Sequence, residues 1–178
     1  RAAPQRAWAN SGAGVLTPVV EAARRGDVET LRSLSGSGMD LRVVDADGDT
    51  ALHRAAEGGH LEAVRFLLTS GFPPNIKGRE GSTPLMRAMA SQAKQAHTVM
   101  QTLLAAGADP NQVDSKEAGI LRYAALGASP EKLDLIREHA GPNSAAAFAE
   151  AMEAAATAGQ TQALSALLDR APNRTDRS

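Results

Sequence analysis

The stretch Asp45-Ala46-Asp47-Gly48-Asp49-Thr50-Ala51-Leu52-His53-Arg54-Ala55-Ala56-Glu57-Gly58-Gly59-His60-Leu61-Glu62-Ala63-Val64-Arg65-Phe66-Leu67-Leu68-Thr69-Ser70-Gly71 decides how this chain folds. Asp45 and Asp47-Gly48 suit a tight turn, since aspartate side chains bond nearby backbone and glycine takes positive φ without cost. Thr50 is placed to cap a helix, its hydroxyl accepting from a backbone N–H one turn later. Ala55 and Ala56 leave room for a second helix to lie close. Gly59 can end the first helix in the left-handed conformation, and Gly71 the second. Between the two glycines Leu61, Val64, Leu67 and Leu68 recur at helical spacing and form one apolar face. The stretch therefore reads as turn, short helix, turn, second helix.

Working outward, the pattern repeats. Thr17 to Thr50 is 33 residues, and Thr50 to Thr83 is 33 again. Gly26 maps to Gly59, Leu31 to Val64, Leu34 to Leu67 and Gly38 to Gly71, while Ala22, Ala55 and Ala88 share one register. A sustained period of this length means stacked supersecondary units, each burying its apolar face against its neighbours. The pattern resembles the ankyrin repeat family. The resemblance rests on Thr50-Ala51-Leu52-His53-Arg54-Ala55-Ala56, on Thr83-Pro84-Leu85-Met86-Arg87-Ala88, and on Leu103-Leu104-Ala105-Ala106-Gly107-Ala108-Asp109-Pro110-Asn111. It implies an all-α repeat solenoid of stacked helix-turn-helix units joined by β-hairpin turns, with about five repeats and degenerate outer ones.

Composition agrees with a thin helical stack. The chain has 178 residues, enough for one short repeat array, and aromatic residues are only 3%, few for a sandwich or barrel. Cysteine is absent, which removes disulfides, a thiolate nucleophile and cysteine-bound metal. A net charge of −1 with interspersed signs gives no electrostatic footprint for nucleic acid. No apolar run approaches the ~20 residues a membrane helix needs. The expected compartment is the cytoplasm, or the periplasm or exterior if a leader has been removed.

The frame divides the chain into an arm (1–15), a repeat domain (16–171, with units 16–44, 45–76, 77–113, 114–142 and 143–171) and a tail (172–178). Trp8 is expected to cover the open end of the first unit. Val20 stands where the family has histidine. In the third unit Ala88 to Leu103 is 15 residues where Ala55 to Leu67 is 12, so about three are inserted within Ala90 to Thr98. Gln92 stands where Gly59 stood, which predicts either a longer first helix or a larger turn. In the fifth unit Ala140 to Glu150 is 10 residues where Gly107 to Gly119 is 12, which predicts a shortened hairpin.

No catalytic constellation emerges. There is no Walker sequence, no strand-borne Gly-x-Gly-x-x-Gly and no Gly-x-Ser-x-Gly elbow. His97 and His139 are isolated. The resemblance gives His53 and His60 structural roles, bonding backbone between repeats. The expectation is a non-enzyme with no cofactor and no metal, monomeric, neither binding nucleic acid nor inserting in membranes. The family resemblance implies protein binding through hairpin tips and a groove lined by the first helices. In that frame the position four after each threonine is Glu21, Arg54, Arg87, Tyr123 and Ala154. The position before it is Asp49, Ser82 and Ala118, and the tips carry Asp47, Arg79, Glu80, Lys116 and Glu117. Arg54, Arg87, Tyr123, Asp47, Asp49, Arg79, Glu80, Ser82 and Lys116 are the expected partner-binding residues, with an acidic or mixed segment as ligand. The alternative functions are a dedicated inhibitor or antitoxin-like binder of an enzyme, and a regulatory fragment of a larger protein.

Overall fold

A computed structural model describes residues 17–127, 129–139 and 144–170. They form five helical hairpins: α1 (Pro18–Arg25) and α2 (Val28–Gly36), α3 (Ala51–Glu57) and α4 (Leu61–Thr69), α5 (Pro84–Ala90) and α6 (Ala96–Ala105), α7 (Ile120–Gly127) and α8 (Pro130–His139), α9 (Ser144–Thr157) and α10 (Thr161–Arg170). The first helices pack in sequence, α1 on α3, α3 on α5, α5 on α7 and α7 on α9, and the second helices form a parallel row from α2 to α10. Two rows of helices thus share one elongated core.

Local chemistry explains each unit. Pro18 and Pro84 open α1 and α5 directly after Thr17 and Thr83, where a missing N–H costs nothing. The Thr83 hydroxyl accepts the Met86 N–H at 3.3 Å, as a cap should. The Asp27 carboxylate caps α2 by accepting the Thr30 N–H at 3.0 Å. Gly26 lies at φ 72, and a Cβ there would come within 2.6 Å of the His60 ring. That glycine therefore serves both the left-handed turn and the close approach of the next unit. Ala22, Ala55, Ala88, Ala124 and Ala155 are all buried where successive first helices cross, and Leu31, Val64, Leu67, Leu103, Leu133 and Leu167 fill the core between the rows. Small residues permit the close crossing, and the leucines exclude water from beneath it.

Three equivalent turns project from the stack. They are closed by Asp45 N–H to Asp49 O at 2.9 Å, Gly78 N–H to Ser82 O at 2.9 Å, and Asp114 N–H to Ala118 O at 3.0 Å. Each hairpin is reduced to its turn. Val44 and Thr50 form one antiparallel bridge, and no strand is present among the described residues. Neighbouring turns are tied by Asn75, whose amide donates to Gly107 O at 3.0 Å and whose oxygen accepts the Asp109 N–H at 2.7 Å.

Helix α5 has seven residues, as α3 does, so the insertion enlarges the turn instead of lengthening the first helix. Residues 91–95 separate α5 from α6, where 58–60 separate α3 from α4. The expected short hairpin of the fifth unit is corrected: α9 runs 14 residues from Ser144, so residues 144–150 are helical. The run Ala145-Ala146-Ala147 has high helix propensity and contains no turn residue to resist it. Trp8, the arm 1–15, the tail 172–178 and the junction at 140–143 lie outside the described residues.

Candidate partner-binding face

The turns and the first helices meet through carboxylates. Asp45 Oδ1 folds back to accept the N–H groups of Asp47 at 2.9 Å and Asp49 at 3.0 Å. Asp114 does the same for Lys116 at 2.8 Å and Ala118 at 3.0 Å. In each case the second carboxylate oxygen receives the side chain nine residues on: Arg54 Nε at 2.7 Å from Asp45 Oδ2, and the Tyr123 hydroxyl at 3.0 Å from Asp114 Oδ2. The third unit breaks this pattern. Gly78 replaces the aspartate, so Arg87 has no carboxylate at the equivalent position of its own turn, whose Glu80 pairs with Lys116 instead. Arg87 reaches back to Asp49 of the preceding unit, with Nη2 at 2.9 Å from Oδ2 and 3.2 Å from Oδ1. Asp49 Oδ1 also accepts the Arg79 N–H at 2.8 Å. Gly78 makes room for this: a Cβ there would lie 2.4 Å from Asp49 Oδ1 and 2.7 Å from His53 Nε2.

Arg54 is enclosed by acids. Asp45, Asp47, Asp49 and Glu57 all lie within ion-pair distance, and its side chain is 16% exposed. Burial pulls its guanidinium down, but the hydrogen bonds it donates to Asp45 and Glu57, with the charge of Asp49, outweigh that and raise it above its ordinary value. At the tips, Asp47 pairs with Arg79 at 3.4 Å and Glu80 with Lys116 at 3.2 Å. The Ser115 N–H donates to Glu80 O at 2.8 Å, joining the third and fourth turns. Asp47, Arg79, Glu80 and Lys116 therefore lie along one exposed edge, in alternating charge.

Two expected contact residues are corrected. Asp49 is 0% and Ser82 1% exposed, so neither side chain can meet a partner directly. The turn folds back over the helix start and encloses the residue before each threonine. Ser82 Oγ donates to Arg79 O at 2.8 Å, which holds the turn it belongs to. Arg54 and Arg87 stand next to each other in the stack, as the frame predicts, but both charges are taken up internally. An acidic ligand therefore loses its main attraction.

His53 and His60 have the structural roles expected of them. His53 Nε2 donates to Ser82 O at 3.1 Å, and because a carbonyl only accepts, that nitrogen carries the proton. Nδ1 then accepts from the Thr50 hydroxyl at 2.9 Å and the Thr50 N–H at 3.3 Å. Thr50 and His53 thereby form a reciprocal capping box at the start of α3, with the hydroxyl also serving the ring. Burial lowers the imidazole below its ordinary value and keeps it neutral. His60 Nε2 donates to Arg24 O at 2.9 Å, stapling the second unit to the end of α1.

One buried group escaped the sequence reading. Lys132 is 4% exposed, and its ammonium donates to Met89 O at 3.1 Å, to Gly127 O at 2.7 Å and to Ser91 O. It holds the enlarged turn of the third unit against the ends of α5 and α7, where carbonyls accumulate and a cation is favoured. Burial lowers it to about 8. Above it lies a polar cleft of about 760 Å³ between the inserted turn and the α7–α8 and α9–α10 turns. In the sequence, Lys132 reads as one more charge in the first turn of a proline-led helix.

Comparison with known families agrees with this architecture. The family model of ankyrin repeats, three copies, matches residues 19–114, from α1 to the start of the turn preceding α7. A comparison with curated proteins found no match. Repeats of this family generally serve as protein–protein interaction modules and are typically non-catalytic. With more than half of its length matched, and with the paired helices stacked in register, the chain belongs to the ankyrin repeat family.

Proposed function

We propose that the chain is a non-catalytic module that binds one partner protein across its turn tips and first-helix face. The observation that carries this reading is the continuity of that face. Tips and helix positions from three successive units lie side by side, joined by Asp47–Arg79, Asp49–Arg87 and Glu80–Lys116. A rigid, pre-organised surface of this kind loses little entropy on binding. Arg79, Glu80, Asp47 and Lys116 are its exposed charges, and Tyr123 its aromatic group. Asp49, Arg54 and Arg87 support it from behind.

The test is an affinity capture from the source cells, with the wild-type chain beside an Arg79→Glu/Lys116→Glu variant. Both positions are exposed, so the variant keeps its fold, checked by an unchanged melting midpoint. Capture of one protein by the wild type and its loss in the variant supports the reading. Equal capture by both baits refutes it.

A further inference from the structure

The enlarged turn of the third unit builds a cleft that the tip face does not use. Helix α5 begins beside the tips and ends at this turn, so the two surfaces lie at opposite ends of the first helices. The cleft holds about 760 Å³, within the range of ligand pockets. Its walls come from three successive units: the inserted turn with the start of α6, the α7–α8 turn, and the start of α10. Packed helices lie about 8–10 Å apart, so three units span about 16–20 Å. That is the reach of about five or six residues of extended chain. No phenylalanine, tyrosine or tryptophan lines it, so it offers little for an aromatic ring to stack on.

Charge in the cleft is unbalanced. Lys132 lies at its floor, 4% exposed. Its three N–H donors go to the carbonyls of Met89, Ser91 and Gly127, which satisfies the hydrogen bonds but does not neutralise the charge. Burial lowers it to about 8 with no carboxylate opposing the shift, so it keeps its proton at neutral pH. Lys94 and His97 line the same cleft, and neither side chain makes a hydrogen bond or ion pair with a described residue. The side-chain amides of Gln160 and Gln162 are equally uncommitted among the described residues. Glu131 is the one carboxylate among the lining residues. Two ammonium groups and an imidazole therefore share the cleft with one acid, on a chain whose net charge is −1.

We infer that this cleft is a second contact site, which takes a short acidic stretch of a protein in extended form. Carboxylates of the stretch meet Lys94 and His97 in the field of Lys132. Its backbone N–H and C=O groups meet the Gln160 and Gln162 amides, which both donate and accept. The arginines of the tip face cannot serve an acidic ligand in this way, because Asp45, Asp47, Asp49 and Glu57 already neutralise them. Single exposed ion pairs are weak, so affinity comes from several made together. The inference does not depend on the tip face being a partner site.

The test is selection of a displayed random-peptide library on the folded chain, after depletion on a Lys94→Glu/Gln162→Glu variant. Both positions are exposed, and an unchanged melting midpoint checks that the variant is folded. Enriched peptides should be rich in aspartate and glutamate and should bind the variant about tenfold more weakly. Lys94→Ala, which adds no charge, should weaken them by about two- to fivefold. Arg79→Glu/Lys116→Glu should leave their affinity unchanged. No enrichment, a consensus without acids, or equal affinity for the cleft variant would each overturn the inference. Displacement by inorganic phosphate at the peptide's own concentration would overturn it in favour of a small anion. Binding lost in the tip variant alone would support the tip face and remove the cleft, whereas binding lost in the cleft variant alone supports the cleft.

Discussion

Replacing Asp49 with alanine removes the group on which two units converge. Its carboxylate is fully buried and accepts from the Arg79 N–H at 2.8 Å and Arg87 Nη2 at 3.2 Å, with Arg54 Nη1 at 3.5 Å. Among the described residues Arg87 pairs with no other carboxylate, because Gly78 stands where the neighbouring turns carry an aspartate. In Asp49→Ala, therefore, a guanidinium only 18% exposed is left without a counter-charge, and a backbone N–H loses its acceptor. Breaking a buried pair by removing one member costs about 3–5 kcal/mol. That lowers the melting midpoint of a chain this size by about 6–20 °C. Part of the loss should return when the stranded charge is also removed. In a double-mutant cycle with Arg87→Met, measured by urea unfolding, the coupling should be about 1–3 kcal/mol. Additive losses, with coupling below about 0.5 kcal/mol, would refute the claim that Asp49 and Arg87 act as one inter-unit tie.

Other consequences can be checked in the same assays. Leu67→Ala leaves a cavity in a fully buried site and should cost about 2–5 kcal/mol by urea unfolding; a loss under about 0.5 would place Leu67 outside the core. Glu117→Gly relieves a left-handed residue at φ 59 and should raise stability by about 0.5–1 kcal/mol, and a lowered melting midpoint would contradict this. His53 is held below its ordinary 6.5 by burial, so the unfolded chain binds the extra proton. Its contribution is full above 6.5 and is lost as pH falls beneath it, and a melting midpoint that is flat on acidification from that value would contradict the buried neutral ring. For Lys132, about 8 in the fold against 10.5 when open, the unfolded chain again holds more protons between those values. Stability should therefore gain with pH across that window, and Lys132→Met should lose the gain; an identical slope in the variant would remove the assignment.

What the sequence disclosed and what it hid have physical reasons. Ala22, Ala55 and Ala88, with Leu31 and Leu67, are legible because stacking demands the same residue class at the same register in every unit. Stacking of like units follows from that periodicity, and the helical solenoid from the family resemblance it carries. The three-residue excess after Ala88 is equally visible by counting, but its form is not: Ser91 ends α5 in an extended conformation, held by the Lys132 ammonium on Ser91 O and by the Gln92 side-chain amide donating to Leu126 O. The frame also identifies Arg54, Arg87 and Tyr123 as neighbours. It does not say where their polar atoms go, because Asp45 and Asp114 reach them only after the turn has folded back. Asp49 and Ser82 lie under their turns where the frame predicts exposure, for the same reason: a position next to a helix cap can face outward or lie under the turn, and spacing does not distinguish the two. Lys132 is hidden because its partners are backbone carbonyls, two of them 41 and 43 residues away, and carbonyls carry no sequence signature.

The central claim is that the tips and first helices, not the second-helix row, meet the partner. The most direct measurement is site-specific photo-crosslinking in the source cells, with the reactive amino acid at Lys116 in one chain and at Arg65, exposed on α4, in another. The account predicts a single crosslinked protein from position 116 and none from position 65. A crosslink from position 65 alone would put the binding surface on the opposite row of helices and contradict it.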